Sequence, residues 1–296
     1  MMKYLQKLGK ALMLPVAVLP ICGILMGIGY ALAPAVMGAE GATSGAAYTV
    51  GFLLIKRPAD WVYDPVTSHV SRAEILRKPV FWGIWIAFYI NITCGLALIS
   101  QEKDILHDVL KAFPQYAGLS PAKFAAAIAG IIGLVLAVDS VFNTAGRVGF
   151  STLSDHLKRR ETVYQVIFIM SIAVCLLQIF TNSIGNALLW AVLAMLFLVN
   201  AGYGGGFSTL PVLLDQHFGT KTVSTTHGLT LSAWAFAGLS GNQLASFVVA
   251  HAPDQAHRYA ALIPVLTGLF VVALISISLV KYLGDRNVTK AVEDRG

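Results

Sequence analysis

The stretch Thr162–Leu214, TVYQVIFIMSIAVCLLQIFTNSIGNALLWAVLAMLFLVNAGYGGGFSTLPVLL, contains no Asp, Glu, Lys or Arg. A helix that crosses a bilayer needs about 20 mostly apolar residues, and this run is more than twice that long. The polar triplet Thr181-Asn182-Ser183 near its middle reads as a tight turn between two spans. Lipid offers backbone amides no water to bond, so both spans must be helical.

Outward from this stretch the same pattern repeats. Uncharged runs cover Leu12–Leu32, Pro79–Gln101, Val223–Ala250 and Tyr259–Val280. Phe124–Ser154 is a further span interrupted by Asp139 and Arg147. Thr43–Ile55 is too short for a comfortable crossing, so the count is seven or eight depending on whether it crosses or re-enters. The expected fold is therefore all-α and polytopic. Composition agrees: 56% of the residues are hydrophobic and 12% charged, against roughly 25% charged in a soluble domain.

Of the 21 lysines and arginines, only Lys103, Lys111, Lys123 and Arg258 fall between spans on one side; all the others fall on the opposite side. By the positive-inside rule the richer side is cytoplasmic. That places both termini in the cytoplasm and the chain in a bacterial inner membrane. The net charge of +6 sits in loops without aromatic interleaving, which argues against nucleic acid as a partner. Cys22, Cys94 and Cys175 lie far apart in apolar runs and suggest neither a disulfide framework nor a metal site. There is no GxxxxGK[ST] loop for a nucleotide and no nucleophile triad, so neither cofactor nor enzymatic activity is expected.

The polar linker 57–78, with Pro58 and Pro65, separates the weakly apolar residues 1–56 from the strongly apolar residues 79–296. The first part, through Leu5–Leu32 (LQKLGKALMLPVAVLPICGILMGIGYAL) and Gly45–Lys56 (GAAYTVGFLLIK), resembles the start of the IIC domain of the glucose-family phosphotransferase system. The second part resembles the C-terminal six-helix half of a major facilitator superfamily transporter, of the oxalate/formate antiporter family. The residues that carry this are Leu76–Ser100, Asn143–Arg160 (NTAGRVGFSTLSDHLKRR) and Ala201–Lys221 (AGYGGGFSTLPVLLDQHFGTK). Together they make the chain read as a chimera, with Leu53–Lys56 running into Arg57-Pro58 as the crossover.

The second resemblance implies a carboxylate transporter acting by alternating access at a site between two halves. A small organic anion is then the partner, in a homodimer or with a complementing N-terminal half. It also implies a cytoplasmic gating motif in Gly149, Asp155, Lys158, Arg159 and Arg160. Gly149 would allow close helix approach, Asp155 would cap the next helix and pair with basic residues, and the basic run would anchor to anionic lipid.

Arg147 lies eight residues before Asp155, well inside the membrane, where an unpaired charge is costly. The family's arginine at this position binds the substrate carboxylate, a task suited to a permanently charged bidentate group. A snorkelling helix-end arginine is the plainer alternative. Asn143 and Asp139 precede Arg147 in steps of four and fall near one face. Asp139 is open to three roles: partner of Arg147, proton carrier, or polar residue in a wet cavity. The oxalate-transporting members carry a lysine in the eleventh helix where this chain has Trp234, and one cation suits a monocarboxylate better than a dianion. Tyr203 joins the expected substrate-binding set, while the adjacent glycines read mainly as packing residues. His227 and Asn242 fit either a cavity or a polar helix contact. The competing readings are a relic that inserts but transports nothing, a membrane scaffold, and a fragment of a sugar-specific phosphotransferase permease.

Overall fold

The computed structural model describes residues 72–116, 118–181, 185–219, 222–254 and 258–293. The chain divides into two units, Met1–Thr67 and Ser68–Gly296. The first lies outside the described residues, as do the expected spans Leu12–Leu32 and Thr43–Ile55 and the phosphotransferase-like fragment. The rest is an all-α polytopic membrane protein, with no strand among the described residues.

A short helix α1, Arg72–Arg77, leads into α2, Pro79–Lys111, and α3, Pro121–His156. Both long helices start on a proline, whose missing N–H costs nothing in the first turn. Then come α4, Glu161–Phe180, α5, Gly185–Phe218, α6, Val223–Ala250, and α7, Leu262–Glu293. The break between α4 and α5 falls where the polar triplet places it.

Five of these six long helices are apolar and long enough to cross a membrane. The expected sixth span is the exception. It forms as the 28-residue helix α6 and carries no Asp, Glu, Lys or Arg, but its Ser, Thr, Gly, His, Asn and Gln content lowers its hydropathy. A second correction concerns α2. The expected span stopped at Gln101, whereas the helix runs on to Lys111 and buries Glu102.

The helices pack as two rows, α3–α5–α4 and α6–α2–α7. The rows meet along α5·α2 and α4·α7. Exchanging α2, α3 and α4 for α5, α6 and α7 maps this pattern onto itself, as two three-helix repeats would. α3 lies along α5 just as α6 lies along α2, leaving an open face between α3 and α6 floored by α2 and α5.

The run Gly202–Gly206 makes α5 the hub. A Cβ on Gly204 would strike the Asn143 carbonyl of α3, and one on Gly206 the Asn91 amide of α2. Where lipid removes the hydrophobic drive between helices, such close backbone approach supplies the packing. Interhelical hydrogen bonds reinforce it: Tyr164 donates to the Gly206 carbonyl at 2.6 Å and Asn91 to that of Gly202 at 3.3 Å.

Candidate functional site

Five residues of α3, spaced by helical turns, meet α5: Asp139, Phe142, Asn143, Gly146 and Arg147. Phe142 stacks on Phe197 with ring centroids 4.9 Å apart. A Cβ on Gly146 would overlap the Ala201 carbonyl. Ser208 donates to the Arg147 carbonyl at 2.9 Å. Between these contacts runs a chain of polar side chains. Asn200 donates its amide to a carboxylate oxygen of Asp139. Asn143 donates to the side-chain oxygen of Asn200 at 2.9 Å, and Arg147 Nε donates to Asn143 Oδ1 at 3.2 Å.

Asp139, Asn143 and Arg147 are thus brought together, but not as a direct ion pair between Asp139 and Arg147. Eight residues separate the two by about 12 Å along the axis, and Asn143 and Asn200 bridge that distance. Asn200 was not among the expected site residues. Nothing in the sequence marks it, because it lies in an apolar stretch of a different helix.

Beyond Nε, the guanidinium of Arg147 lies over the Phe207 ring, 5.6 Å from its centroid. Its two terminal nitrogens have no protein partner among the described residues. Phe207 in turn makes edge contacts with Tyr203 at 5.4 Å, Trp234 at 5.9 Å and Phe88 at 5.1 Å. Tyr203 and Trp234 therefore reach the arginine through one shared ring. On α2, Trp85 stacks on Tyr89 at 5.3 Å and donates to Ser232 of α6 at 2.9 Å. The result is a cation on an aromatic floor, with Arg147 and Trp234 both exposed on the open face between α3 and α6. His227 is half-buried and Asn242 exposed.

At the basic end the expected motif is arranged differently. A Cβ on Gly149 would meet nothing within 4 Å, so the close approach falls on Gly146, one turn earlier. Asp155 lies within α3 and does not cap α4; the cap position is Arg160, with no side-chain cap bond. Asp155 and Lys158 are exposed, and Asp155 makes no ion pair among the described residues. The carboxylate that gathers the basic end is Glu161, fully buried. Arg159 binds it at 2.8 Å, Gln216 donates to it at 2.8 Å, and His217 Nε2 lies 2.8 Å away. Arg159 also donates to the Lys281 carbonyl at 3.1 Å, and the Arg160 amide to Gln216 at 2.8 Å. This cluster joins α4, α5 and α7. The sequence hid it because Glu161 reads as one more charge in a polar loop.

A six-helix body with this internal repeat and a cationic aromatic face invites comparison with known transporters. A family model described as the Major Facilitator Superfamily matches residues 10–242. The chain belongs to that superfamily. It is 25% identical over 204 residues to the oxalate:formate antiporter of Oxalobacter formigenes, a match covering 69% of this chain and 43% of that protein. It is also 26% identical over 166 residues to the uncharacterized MFS-type transporter YhjX of Escherichia coli (strain K12), covering 55% of this chain and 36% of that one. The matched region thus spans less than half the length of either curated relative. The superfamily match begins at residue 10 and runs through the phosphotransferase-like segment, so the phosphotransferase resemblance, and the chimera reading with it, gains no support from these comparisons.

Proposed function

We propose that this superfamily member carries one half of a transport site for small organic anions of the formate and oxalate class. Arg147 is the anion anchor. The observation that carries this reading is the state of its guanidinium: Nε is fixed by Asn143, the ring of Phe207 lies beneath it, and both terminal nitrogens are uncommitted on an open face. A carboxylate accepts two parallel N–H bonds from such a fork. The similarity to an oxalate:formate antiporter supports the substrate class.

Trp234, beside Phe207, supplies an apolar wall in place of a second cation, which favours a monocarboxylate over a dianion. The open face between α3 and α6 would be closed by a second six-helix body, either another copy of this chain or a complementing half. The distribution of basic residues supports an inner-membrane placement with both termini cytoplasmic. Exposed Lys158 is suited to the anionic leaflet, and the Glu161 cluster to holding the cytoplasmic ends of α4, α5 and α7 together.

The test is counterflow of labelled formate, pyruvate and oxalate in proteoliposomes containing the full chain, with binding followed by tryptophan fluorescence. Uptake competed by unlabelled carboxylate, lost in Arg147→Ala, supports the site. Unchanged anion binding in a folded Arg147→Ala protein defeats it.

A further inference from the structure

Along residues 201–210 of α5, only Tyr203 and Phe207 escape burial, and they lie one helical turn apart. Phe207 is the ring beneath the Arg147 guanidinium, at 5.6 Å. Tyr203 and the exposed Trp234 both meet its edge, at 5.4 and 5.9 Å. A formate ion fills the guanidinium fork and covers none of these rings. The aromatic surface beside the cation is therefore larger than the smallest anion needs.

The polar atoms of the neighbouring aromatic side chains fall into two groups. Trp85 Nε1 donates to Ser232 at 2.9 Å, and the Tyr89 hydroxyl pairs with that of Ser240 at 2.8 Å. The Tyr203 hydroxyl and the Trp234 indole N–H make no hydrogen bond among the described residues. Indole and phenol groups drawn into a protein surface usually find a partner. Here two neutral donors next to Phe207 are left without one.

Charge narrows the ligand further. Residues 79–101 of α2, residues 185–214 of α5 and the whole of α6 carry no Asp, Glu, Lys or Arg. His227 lies seven residues before Trp234, about 10 Å along the axis. One fixed cation thus faces neutral donors and ring surface. A second carboxylate would lose its hydration on that surface without a countercharge, whereas a neutral oxygen would accept from Tyr203 or Trp234.

We infer that the anion held by Arg147 is an aromatic monocarboxylate. Its carboxylate takes the guanidinium fork, its ring lies against Phe207 and Trp234, and a neutral oxygen on the ring accepts from the Tyr203 hydroxyl or the Trp234 N–H. This rests on the anion reading above and names the body that the anion carries.

The experiment is calorimetric binding to the full chain in lipid nanodiscs at fixed ionic strength. The ligands are formate, benzoate, cyclohexanecarboxylate and the three hydroxybenzoates. Benzoate should bind about tenfold or more tighter than formate, because its ring leaves water. It should also bind about 2–10-fold tighter than cyclohexanecarboxylate, which has the same carbon count but no π face. At least one hydroxybenzoate should exceed benzoate severalfold, a gain lost in Tyr203→Phe or in Trp234→Phe. Trp234→Ala should lower the benzoate-to-formate ratio severalfold, and Trp234→Phe, which keeps a ring, should restore most of it. Arg147→Ala should abolish benzoate binding.

Benzoate no tighter than formate, or no tighter than cyclohexanecarboxylate, overturns the aromatic ligand. Equal benzoate uptake by Arg147→Ala nanodiscs overturns it too, as partition into lipid. Hydroxybenzoates that gain nothing over benzoate overturn the oxygen contact. Formate binding that Arg147→Ala abolishes, without a preference for benzoate, defeats this inference and leaves the anion reading standing. A folded protein that binds none of these anions defeats both.

Discussion

Asn143 and Asn200 hold each other across the α3–α5 interface, Nδ2 to Oδ1 at 2.9 Å, and thereby join a cation to an anion that never touch. Each amide is committed at both ends: Asn200 donates its N–H to Asp139, and the Asn143 oxygen accepts from Arg147 Nε. Removing the Asn200 side chain leaves Asp139 without its amide donor and Asn143 with only the backbone carbonyl of residue 200, 3.4 Å away. Asn200→Leu should lower stability by about 1–3 kcal/mol, the cost of orphaned buried polar groups. Thermal unfolding in detergent measures it. Asn143→Ala should in addition free Arg147 to change rotamer and weaken formate binding. An unchanged affinity there would show that the arginine needs no such holder.

The α3–α5 crossing sorts the glycines of α3. Gly146 has the Ala201 backbone where its side chain would be, whereas Gly149 faces open space. Gly146→Val should therefore force the helices apart at a cost of 1–3 kcal/mol or more, as overpacking does. Gly149→Ala should be neutral, or stabilising by about 1 kcal/mol through helix propensity. The unfolding midpoint should fall in Gly146→Val and stay or rise in Gly149→Ala. A Gly149→Ala protein as unstable as Gly146→Val would mean that Gly149 meets a partner in the membrane.

Which parts of this could be read from the sequence depends on whether a signal is local. Span positions were legible because apolar runs and the Thr181–Ser183 break are local patterns, and the i, i+4 spacing was enough to align Asp139, Asn143 and Arg147 on one face. Asn200 was illegible because its partners lie on another helix, 61 residues away in the case of Asp139. Glu102 was missed because a charge after an apolar run reads as the end of the span, whereas α2 continues and buries it. Gly149 and Gly146 are indistinguishable by composition; only the crossing point of α5 separates them. Asp155 attracted the capping role through its position in a motif, but burial assigns the structural carboxylate to Glu161.

That assignment has a direct test. Glu161 is buried against Arg159, Gln216 and His217, while Asp155 is exposed. Glu161→Ala leaves the Arg159 guanidinium and the Gln216 amide without their acceptor, and breaking a buried pair from one side costs about 3–5 kcal/mol. Arg159 retains some solvent and its bond to Lys281, so the lower end of that range is expected. Asp155→Asn should change stability by less than about 0.5 kcal/mol. Equal losses in the two proteins would return the structural role to the loop aspartate.

Trp234 offers the sharpest test of selectivity. Its ring meets Phe207 edge-on at 5.9 Å, and Phe207 carries the Arg147 guanidinium. Trp234 is exposed on the open face, so a lysine there keeps its ammonium in reach of the same ligand without burying it. A second cation attracts a dianion about twice as strongly as a monoanion, and at a partly solvated separation of several ångströms the difference exceeds about 1.4 kcal/mol. Trp234→Lys should therefore raise the oxalate-to-formate affinity ratio about tenfold or more. Trp234→Phe should leave the ratio unchanged and alter only the fluorescence response. Competition binding in detergent at fixed ionic strength reads both. A lysine variant with an unaltered ratio would place the anion away from the Phe207 ring and remove Trp234 from the site.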